Sequence, residues 1–419
     1  MSHRRMTKWL LSIAVVSFCC MTLPAPTPAD AKEPYFKETV VAGGPDHFME
    51  VRHVIIKGSN YAIGKKVAEI AKGMDIRPIP FIDPLTNKVQ REYMEKTYPI
   101  FYQRMKGVAD AYNLRLDDNR YDFTTLFQFP IGPPGCSVVF YPGSFTESGH
   151  SMLSRNYDFT TGTIMGRRPR ENEVPVMSHP FIFELHPDEG YASLSICAFD
   201  LLGGVLDGIN SEGLAVAILG DDETVMNFGR KPAVGIGMNE LSSMRYLLDN
   251  CKDVDEAKEA LLYLKHFYEF VPCHYIIADK NGRSFIFEFS PLRNNTHIID
   301  GEGPQCITNH PVSNYQSIEE FPEESPINTY ERYKTLHAAI TGKKRFTIEE
   351  ITAIDASVAD PGMTFDHPEY APGRTLWHAL YDIDRKSLSV KFYLGERPDA
   401  SDPSRMILDY SDYLEFQLR

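Results

Sequence analysis

The chain has 419 residues, of which 43% are hydrophobic and 12% aromatic, and its formal net charge at pH 7 is −14. This composition is typical of a folded globular protein and excludes an intrinsically disordered chain. The acidic balance argues against nucleic acid or an anionic membrane surface as the main partner, because both are bound through clustered lysine and arginine. The length allows two or three domains, or one large α/β domain.

The first 31 residues have the pattern of a secretory signal peptide. Basic residues precede an apolar run over 9–23, and the segment ends on Ala29-Asp30-Ala31. The apolar run is shorter than the roughly 20 residues that span a bilayer, although an uncleaved signal anchor stays an alternative. We therefore expect cleavage after Ala31, a secreted or extracytoplasmic protein, and no stable membrane insertion after that cleavage.

The segment 32–135 is predicted to be mainly helical. One strand is predicted over Met49–Ile56, and Ser59 is predicted to cap the helix that follows. A second helical pattern covers Arg91–Tyr112 and is interrupted by one proline. The prolines and glycines of Phe129–Gly135 then predict an exposed loop at the end of the segment.

From Cys136 onwards the pattern changes to strands and pairs of helices. Strands are predicted over 136–141, 149–157, 181–185, 191–199, 214–219, 274–278, 284–289, 305–309, 376–381 and 387–393, and helices over 240–250, 254–265, 331–340 and 348–355. The sequence Asp279-Lys280-Asn281-Gly282 is a strong hairpin signal. Antiparallel hairpins between helix pairs indicate an α+β protein in which sheets pack on each other under helices.

Cysteine and histidine spacing gives no sign of a metal centre. Five cysteines follow the predicted signal peptide, without a zinc or redox spacing: Cys136, Cys197, Cys251, Cys273 and Cys306. Export permits disulfides, but an odd number leaves at least one thiol free or paired between chains. The histidines show no metal-binding spacing either, so neither a metal nor another cofactor is predicted.

Cys136 is the candidate nucleophile, because it lies between a broken loop and a strand, where its side chain can be exposed at a sheet edge. A cut before Cys136 would leave an α-amine with a typical pKa of about 7.7–8.0 beside the thiol, and this amine could act as the base. Arg155 and Asp158 close the facing strand, where Arg155 would favour the thiolate and Asp158 would hold the amine. The alternatives are an inert strand cysteine and a surface ion pair.

Five short motifs follow one another from Gly135 onwards. They are Gly135-Cys136, Arg155-Asn156-Tyr157-Asp158-Phe159, Asp207-Gly208-Ile209-Asn210-Ser211-Glu212-Gly213-Leu214-Ala215, Thr308-Asn309-His310 and Gly373-Arg374-Thr375-Leu376-Trp377. In this order they resemble the N-terminal-nucleophile cysteine hydrolases of the choloylglycine hydrolase type, which include bile salt hydrolases, penicillin V acylases and the penicillin acyltransferase branch. The resemblance spans 136–393, and the helical stretches around Gly64 and Gly107 resemble the propeptide-like segment of the acyltransferase branch.

The resemblance implies a fold and a division of the chain. The fold would be a four-layer αββα sandwich, in which two antiparallel sheets are covered by helices. Self-cleavage between Gly135 and Cys136 would separate the N-terminal segment 32–135 from the catalytic domain 136–419. Each motif alone is weak evidence, whereas the order of all five is fairly specific.

The resemblance also implies a role for each candidate site residue. Cys136 would be the nucleophile, its α-amine would carry the proton, and Asp158 would hold that amine while Arg155 favours the thiolate. Asn309 would donate to the oxyanion, and Arg374 would be a further structural and electrostatic member of the site. The alternative for Asn309 is a structural role in a turn, and the alternative for Arg374 is an ordinary surface charge. Bile salt hydrolases have a second asparagine at the position of Gly220, and its absence makes a bile salt the less favoured substrate.

These implications predict an exported, self-processing amidase that cleaves non-peptide linear amides of a small molecule through an acyl-cysteine intermediate. Acyl transfer would follow the same steps, with another amine in place of water as the acceptor of the acyl group. Two other interpretations are open. One is a protease in which a distant histidine activates Cys136, and the other is a non-catalytic exported binding protein. Substrate identity and a homo-oligomeric state are left open by the sequence.

Overall fold

The computed structural model describes residues 33–79, 83–128, 135–163, 166–171, 173–221, 235–269, 271–290, 295–323, 328–359, 369–402 and 405–419. The predicted signal peptide and residues 129–134 of the predicted loop lie outside these ranges. Within them, no helix has both the length and the apolar character needed to cross a bilayer.

The described residues form strands and helices in alternating groups. The strands are β1 (Tyr35–Gly43), β2 (Glu50–Gly58), β3 (Gly135–Tyr141), β4 (Met152–Thr160), β5 (Phe181–Pro187), β6 (Ser193–Cys197), β7 (Val205–Asn210), β8 (Leu214–Gly220), β9 (Cys273–Asp279), β10 (Ser284–Ser290), β11 (Asn295–Asp300), β12 (Gln305–Ile307), β13 (Gly373–Asp382), β14 (Ser387–Pro398), β15 (Met406–Tyr410) and β16 (Leu414–Gln417). The α-helices are α1 (Asn60–Gly73), α2 (Pro84–Thr97), α3 (Pro99–Ala111), α4 (Glu240–Asn250), α5 (Val254–Tyr263), α6 (Thr329–Ile340) and α7 (Ile348–Ala356).

The strands that the structure describes make two sheets. One is nine-stranded in the order β1-β2-β5-β6-β7-β8-β9-β10-β11, and the other is seven-stranded in the order β12-β3-β4-β13-β14-β15, with β16 paired to β14. Neighbouring strands are antiparallel except β2 and β5, which run parallel. The expectation of two antiparallel sheets is therefore corrected at this one pair, because β2 belongs to the N-terminal segment and joins the sheet from outside the run of hairpins.

Side-chain alternation along β4 shows that the sheets face each other. Arg155 reaches main-chain carbonyls of β7 and β8 in the nine-stranded sheet. Its neighbours Ser154 and Asn156 point the other way and bond to Asp355 of α7. In the nine-stranded sheet, Asn210 likewise points outward and bonds to carbonyls of α4 and its C-cap. Helices thus cover the outer faces, which confirms the predicted α+β sandwich of two sheets under helices.

The N-terminal segment combines helices with sheet strands. Ser59 accepts a hydrogen bond from the Ala62 amide at 3.2 Å and caps α1, as the sequence predicts. The long helical pattern is divided at Pro99, which starts α3 because proline has no amide hydrogen to continue α2. The predicted strand is β2, whereas β1 was not predicted. Both strands extend the nine-stranded sheet, so this segment is part of the sandwich.

Candidate active site

Cys136 lies inside the seven-stranded sheet. It is the second residue of β3, which pairs with β12 on one side and β4 on the other, and its side chain is fully buried. The expectation of a thiol exposed at a sheet edge is wrong for the continuous chain, because β12 pairs with β3 as far as Val138, and Asn309 and Arg332 bond to the main chain of Cys136 beyond it. The thiol faces the interior of the sandwich, where the nine-stranded sheet supplies its surroundings.

Arg155 is the hydrogen-bond donor to this thiol. Its Nη2 lies 3.3 Å from Cys136 Sγ, and its side chain is also fully buried. The guanidinium is fixed from the opposite sheet, where it bonds to Asp207 Oδ2 at 2.8 Å and to the Ile218 carbonyl at 2.6 Å. These bonds fix the orientation of the guanidinium, so that one of its nitrogens donates to the thiol while another donates to Asp207.

Burial and charge act in opposite directions on the thiol. Burial raises the pKa of Cys136 to about 11, and the positive charges of Arg155 and Arg332 only partly counter this effect. Arg155 thus favours the thiolate, as expected, but desolvation outweighs it. The thiol is protonated at neutral pH in the continuous chain, so an incoming base or a change in solvent access is needed to activate it.

Asn309 holds the amide of the bond predicted to be cut. Its Oδ1 accepts a hydrogen bond from the Cys136 amide nitrogen at 2.7 Å, and its Nδ2 donates to the Gly220 carbonyl at 2.9 Å. Asn309 follows β12 and is fully buried. Gly220 is at the position where the resemblance places a second asparagine in bile salt hydrolases. Its main-chain carbonyl fixes the orientation of the Asn309 amide.

Arg332 is a site residue that the sequence analysis missed. Its Nη2 donates to Asn309 Oδ1 at 2.8 Å, and its Nη1 donates to the main-chain carbonyl of Cys136. A signal for it exists in the sequence, since Arg332, Leu336 and Ile340 recur at four-residue spacing along α6. A cation in an apolar helical stripe requires a buried partner.

Asp158 lies beside the predicted cleavage point but faces away from the thiol. It is opposite Gly135 in the β3–β4 pairing, and its Oδ1 accepts a hydrogen bond from Thr375 Oγ1 at 2.6 Å. Its negative charge contributes to raising the pKa of the Cys136 thiol. The carboxylate is thus placed next to the peptide from which an α-amine would be released.

Arg374 lies on β13, opposite Phe159 in the β13–β4 pairing. Its guanidinium pairs with Glu396 on β14, at 2.7 Å from Nε and 2.6 Å from Nη2. Cys136 is instead approached by Arg155 and Arg332. The structure therefore brings together Cys136, Arg155, Asp158 and Asn309, while Arg374 stabilises the neighbouring strand pair and Arg332 provides the second arginine of the site.

A family model described as acyl-coenzyme A:6-aminopenicillanic acid acyl-transferase matches residues 145–397. The chain belongs to this acyl-transferase family. The resemblance predicted from the five motifs is thereby confirmed. A search of curated proteins found no significant match.

Solved structures with low sequence identity are also similar to this member of the acyl-transferase family. A variant of conjugated bile acid hydrolase from Clostridium perfringens is 17% identical, with a TM-score of 0.43 over 66% of this chain and 97% of that chain. Penicillin V acylase from Agrobacterium tumefaciens is 18% identical, with a TM-score of 0.39 over 61% of this chain and 83% of that chain.

The longest motif of this acyl-transferase family member has a physical explanation in the structure. Asp207 bonds to Arg155 and accepts a hydrogen bond from Tyr381. Asn210 Oδ1 accepts from the amides of Glu212 and Leu214 and so forms the turn into β8. Gly213 has a φ of +81° in that turn, a conformation that favours glycine. Asp207 thus belongs to the site through Arg155, a role that the sequence analysis did not assign.

Three buried histidines of this family member, His274, His310 and His378, have hydrogen-bond partners other than the Cys136 thiol. His274 bonds to the Thr308 carbonyl at 2.6 Å, and His378 bonds to Asp355 at 2.8 Å on the outer face of the seven-stranded sheet. His310 bonds to Thr329 at 2.9 Å.

The other four cysteines are buried free thiols in the structure: Cys197, Cys251, Cys273 and Cys306. Burial raises the pKa of Cys197, Cys251 and Cys306 to about 12. These burial-raised pKa values are those of small core residues, whereas the sulfur of Cys136 accepts a hydrogen bond from Arg155.

Proposed function

We propose that this protein is a self-processing cysteine amidase that transfers the acyl group of a linear amide through an acyl-cysteine intermediate. The observation that carries the proposal is the pairing at Cys136: its sulfur accepts from Arg155 at 3.3 Å, and its amide donates to Asn309 at 2.7 Å. The nucleophile and the nitrogen of the bond before it are therefore fixed by separate groups, as an intramolecular attack requires.

In the proposed self-cleavage, Sγ of Cys136 attacks the carbonyl carbon of Gly135. The carbon–nitrogen bond then breaks, the nitrogen gains a proton, and a thioester joins Gly135 to the sulfur while the α-amine of Cys136 becomes free. Water hydrolyses the thioester to a carboxylate at Gly135 and restores the thiol. Asp158, opposite Gly135 in the strand pairing, is placed to hold the new ammonium group.

In the proposed catalytic cycle, the free α-amine takes the proton of the thiol. An α-amine has a typical pKa of about 7.7–8.0, so it can accept a proton at neutral pH. The thiolate attacks the substrate carbonyl, the amine product leaves with the proton, and water cleaves the acyl-cysteine. Asn309 Nδ2 has a second hydrogen besides the one bonded to the Gly220 carbonyl, and it would donate this hydrogen to the oxyanion, a contribution typically worth roughly 10²–10³ in turnover.

Transfer to an acceptor other than water is the second candidate function. The family description names acyl-coenzyme A and 6-aminopenicillanic acid, which are a thioester donor and an amine acceptor. The acyl-cysteine intermediate is common to both reactions, so an amine in place of water would form a new amide. We propose hydrolysis of small acyl-amine compounds and transfer between amines as two outcomes of one intermediate.

The deciding experiment is intact mass spectrometry with N-terminal sequencing of the wild type, Cys136→Ala and Cys306→Ala. We expect fragments of roughly 12 and 32 kDa by length, with the larger beginning at Cys136, in the wild type and Cys306→Ala only. Cys306 is a matched control because it is a buried thiol on β12, opposite Val139. An uncut wild type, or a cut in Cys136→Ala, would refute self-processing at this bond.

Export is a separate part of the proposal. The basic start, apolar run and Ala29-Asp30-Ala31 sequence support removal of residues 1–31. N-terminal sequencing of the smaller fragment tests it, because an exported protein would begin at Lys32. A fragment beginning at Met1 in exported material would contradict signal cleavage.

A further inference from the structure

The Asn309 loop, residues 308–313 after β12, is irregular over its first four residues, which are buried, and it ends in a short 3-10 turn where Ser313 is exposed. Thr308, Asn309 and His310 are fully buried. Buried main-chain groups outside regular structure need defined hydrogen-bond partners. Two of the partners of this loop are titratable side chains from the nine-stranded sheet, His274 and Glu288.

His274 binds the beginning of the Asn309 loop. Its Nε2 lies 2.6 Å from the main-chain carbonyl of Thr308, the residue directly before Asn309. A carbonyl only accepts, so Nε2 must carry the hydrogen. The ring is 2% exposed, and its position therefore sets the position of the peptide that leads into Asn309.

Glu288 binds the end of the same loop. Its Oε1 accepts from the Val312 amide at 2.6 Å, and its Oε2 accepts from the Ser313 amide at 3.1 Å. Glu288 and His274 are directly opposite each other on β10 and β9, and Oε1 lies 3.6 Å from His274 Nδ1. One cross-strand pair therefore holds both ends of the loop.

The charges around this pair favour a negative Glu288. Burial raises the pKa of the Glu288 carboxyl, but His274 and the bonds from Ser313 outweigh burial and hold that pKa below its usual range. His310 is neutral, because burial and the neighbouring His274 lower its pKa to about 3. Arg332 approaches from α6 and bonds to Asn309. Tyr333 of the same helix is also electrostatically coupled to Glu288, and burial raises its pKa above the usual range, so it stays neutral.

We propose that His274 and Glu288 are positioning residues for acyl transfer, acting as a clamp that fixes Asn309 against Cys136. This proposal rests on the proposed function, since it assigns the clamp a role in the reaction at Cys136. The clamp holds the loop from the nine-stranded sheet, whereas Arg332 orients the Asn309 side chain from α6. Loss of the clamp would let Asn309 shift by a fraction of an ångström to an ångström, which costs about 10–10² in rate at an oriented site.

The first measurement is amide hydrogen–deuterium exchange of the full chain in a Cys136→Ala background, which stays uncut in all variants. We compare His274→Ala, His274→Gln, Glu288→Gln and the control His378→Gln. Gln can place an amide hydrogen near the position of the His274 Nε2 hydrogen, so it should restore the bond to Thr308. His378 is a matched control because it is a buried histidine beside a carboxylate, Asp355, on the other face of the seven-stranded sheet.

We expect exchange over 308–313 to rise at least tenfold in His274→Ala and Glu288→Gln and to stay near the parent value in His274→Gln and His378→Gln. The second measurement is the self-cleavage rate of the same substitutions with Cys136 present, in chains made by cell-free synthesis. We expect His274→Ala to slow cleavage about 10–10²-fold, with rescue by Gln. In an Asn309→Ala background, His274→Ala should have no further effect, because its contribution passes through Asn309.

The outcomes separate this proposal from the proposed function. Unchanged exchange over 308–313 in His274→Ala overturns the clamp, whatever the cleavage rate. Raised exchange with a normal cleavage rate, or full additivity with Asn309→Ala, overturns the positioning role. A wild type that never cuts refutes the proposed function, and raised exchange in the uncut background then supports the clamp as an element of the loop alone.

Discussion

At the scale of single residues, the proposed self-cleavage makes a prediction about the protonation of Cys136. Its thiol has a pKa of about 11, because burial outweighs the charge of Arg155. The raised pKa leaves a protonated thiol at neutral pH, and between pH 7 and 9 the thiolate fraction rises about tenfold per pH unit. We therefore expect the self-cleavage rate to increase by about tenfold per unit over this range.

Intact mass spectrometry of freshly synthesised chain at pH 7, 8 and 9 measures this rate. Circular dichroism at each pH is the control, since the fold must be the same in all three. A rate that is independent of pH would contradict a protonated thiol as the starting state of the reaction.

Arg332 and Arg374 allow a matched comparison, because each is 5% exposed. Arg332→Met removes the donor to the Cys136 carbonyl and to Asn309 Oδ1, and we expect self-cleavage to slow by about 10–10²-fold. Arg374→Met removes a partner of Glu396, so we expect a lower melting temperature. We expect the cleavage rate to stay within about fivefold of the wild type, because the groups bonded to Cys136 keep their orientation. Equal loss of cleavage in both variants would contradict the assignment of Arg332 over Arg374.

The site residues differ in how far the sequence could identify them. Cys136, Arg155, Asp158 and Asn309 lie within short motifs, so their types and order were enough to predict their grouping. Arg332 is a single cation in a helix, and the atoms that it binds belong to residues that are distant in the sequence. Its spacing along α6 indicates that it is buried, but the atoms that it binds follow from the packing of α6 on the sheet.

At the scale of elements, two glycines explain how α1 packs on α3. A Cβ at Gly64 would lie 2.1 Å from the Arg104 carbonyl oxygen, and a Cβ at Gly107 would lie 2.1 Å from the Tyr61 carbonyl oxygen. The helix backbones are therefore in direct contact. Gly107→Ala would separate the helices, and we expect it to lower the free energy of unfolding by about 1–3 kcal/mol.

Urea unfolding followed by circular dichroism measures this loss. Gly73→Ala is the control, because its Cβ would meet nothing within 4 Å at the end of the same helix α1. We expect Gly73→Ala to leave the midpoint unchanged or slightly raised. An unchanged midpoint in Gly107→Ala would show that the helices can separate without cost.

Elements with a strong local signal were the predictable ones, whereas the fully buried strand β7 was not predicted. The helix over 240–250 and the hairpin around 279–282 have the expected positions, since each has a strong local signal. The strands β1 and β11 were missed because they are the edges of the nine-stranded sheet and are mostly exposed. An exposed edge strand needs no alternation of apolar and polar residues, so it lacks the two-residue hydrophobic period from which strands are predicted.

At the scale of the whole molecule, the N-terminal segment is built into the catalytic sandwich. β2 pairs in parallel with β5, which is more than a hundred residues later in the chain. The sequence predicted the helices of this segment, but such a long-range parallel pairing has no local signal. The expectation of a mainly helical segment therefore missed its contribution to the nine-stranded sheet.

A buried ion pair also connects the two sides of the predicted cut. Arg104 of α3 bonds to both carboxylate oxygens of Asp249 in α4, at 2.7 and 3.2 Å, and its Nε donates to Asn60 at 2.9 Å. Arg104 and Asp249 are each 1% exposed. Removing one partner of an isolated buried pair is typically destabilising by about 3–5 kcal/mol, but Asp249 also pairs with Arg245 at 3.1 Å, so we expect a smaller loss when Arg104 is removed.

We therefore expect the fragments 32–135 and 136–419 to remain associated after self-cleavage and to elute together in size-exclusion chromatography without denaturant. Arg104→Met should shift their dissociation to lower urea, since it removes the bond to Asp249 and leaves a buried carboxylate. Arg115→Met is the control, because its ion pair with Asp117 is highly exposed on the same segment and contributes little. Separate elution of the wild-type fragments in native buffer would show that β2 and Arg104 do not hold the sandwich together once the chain is cut.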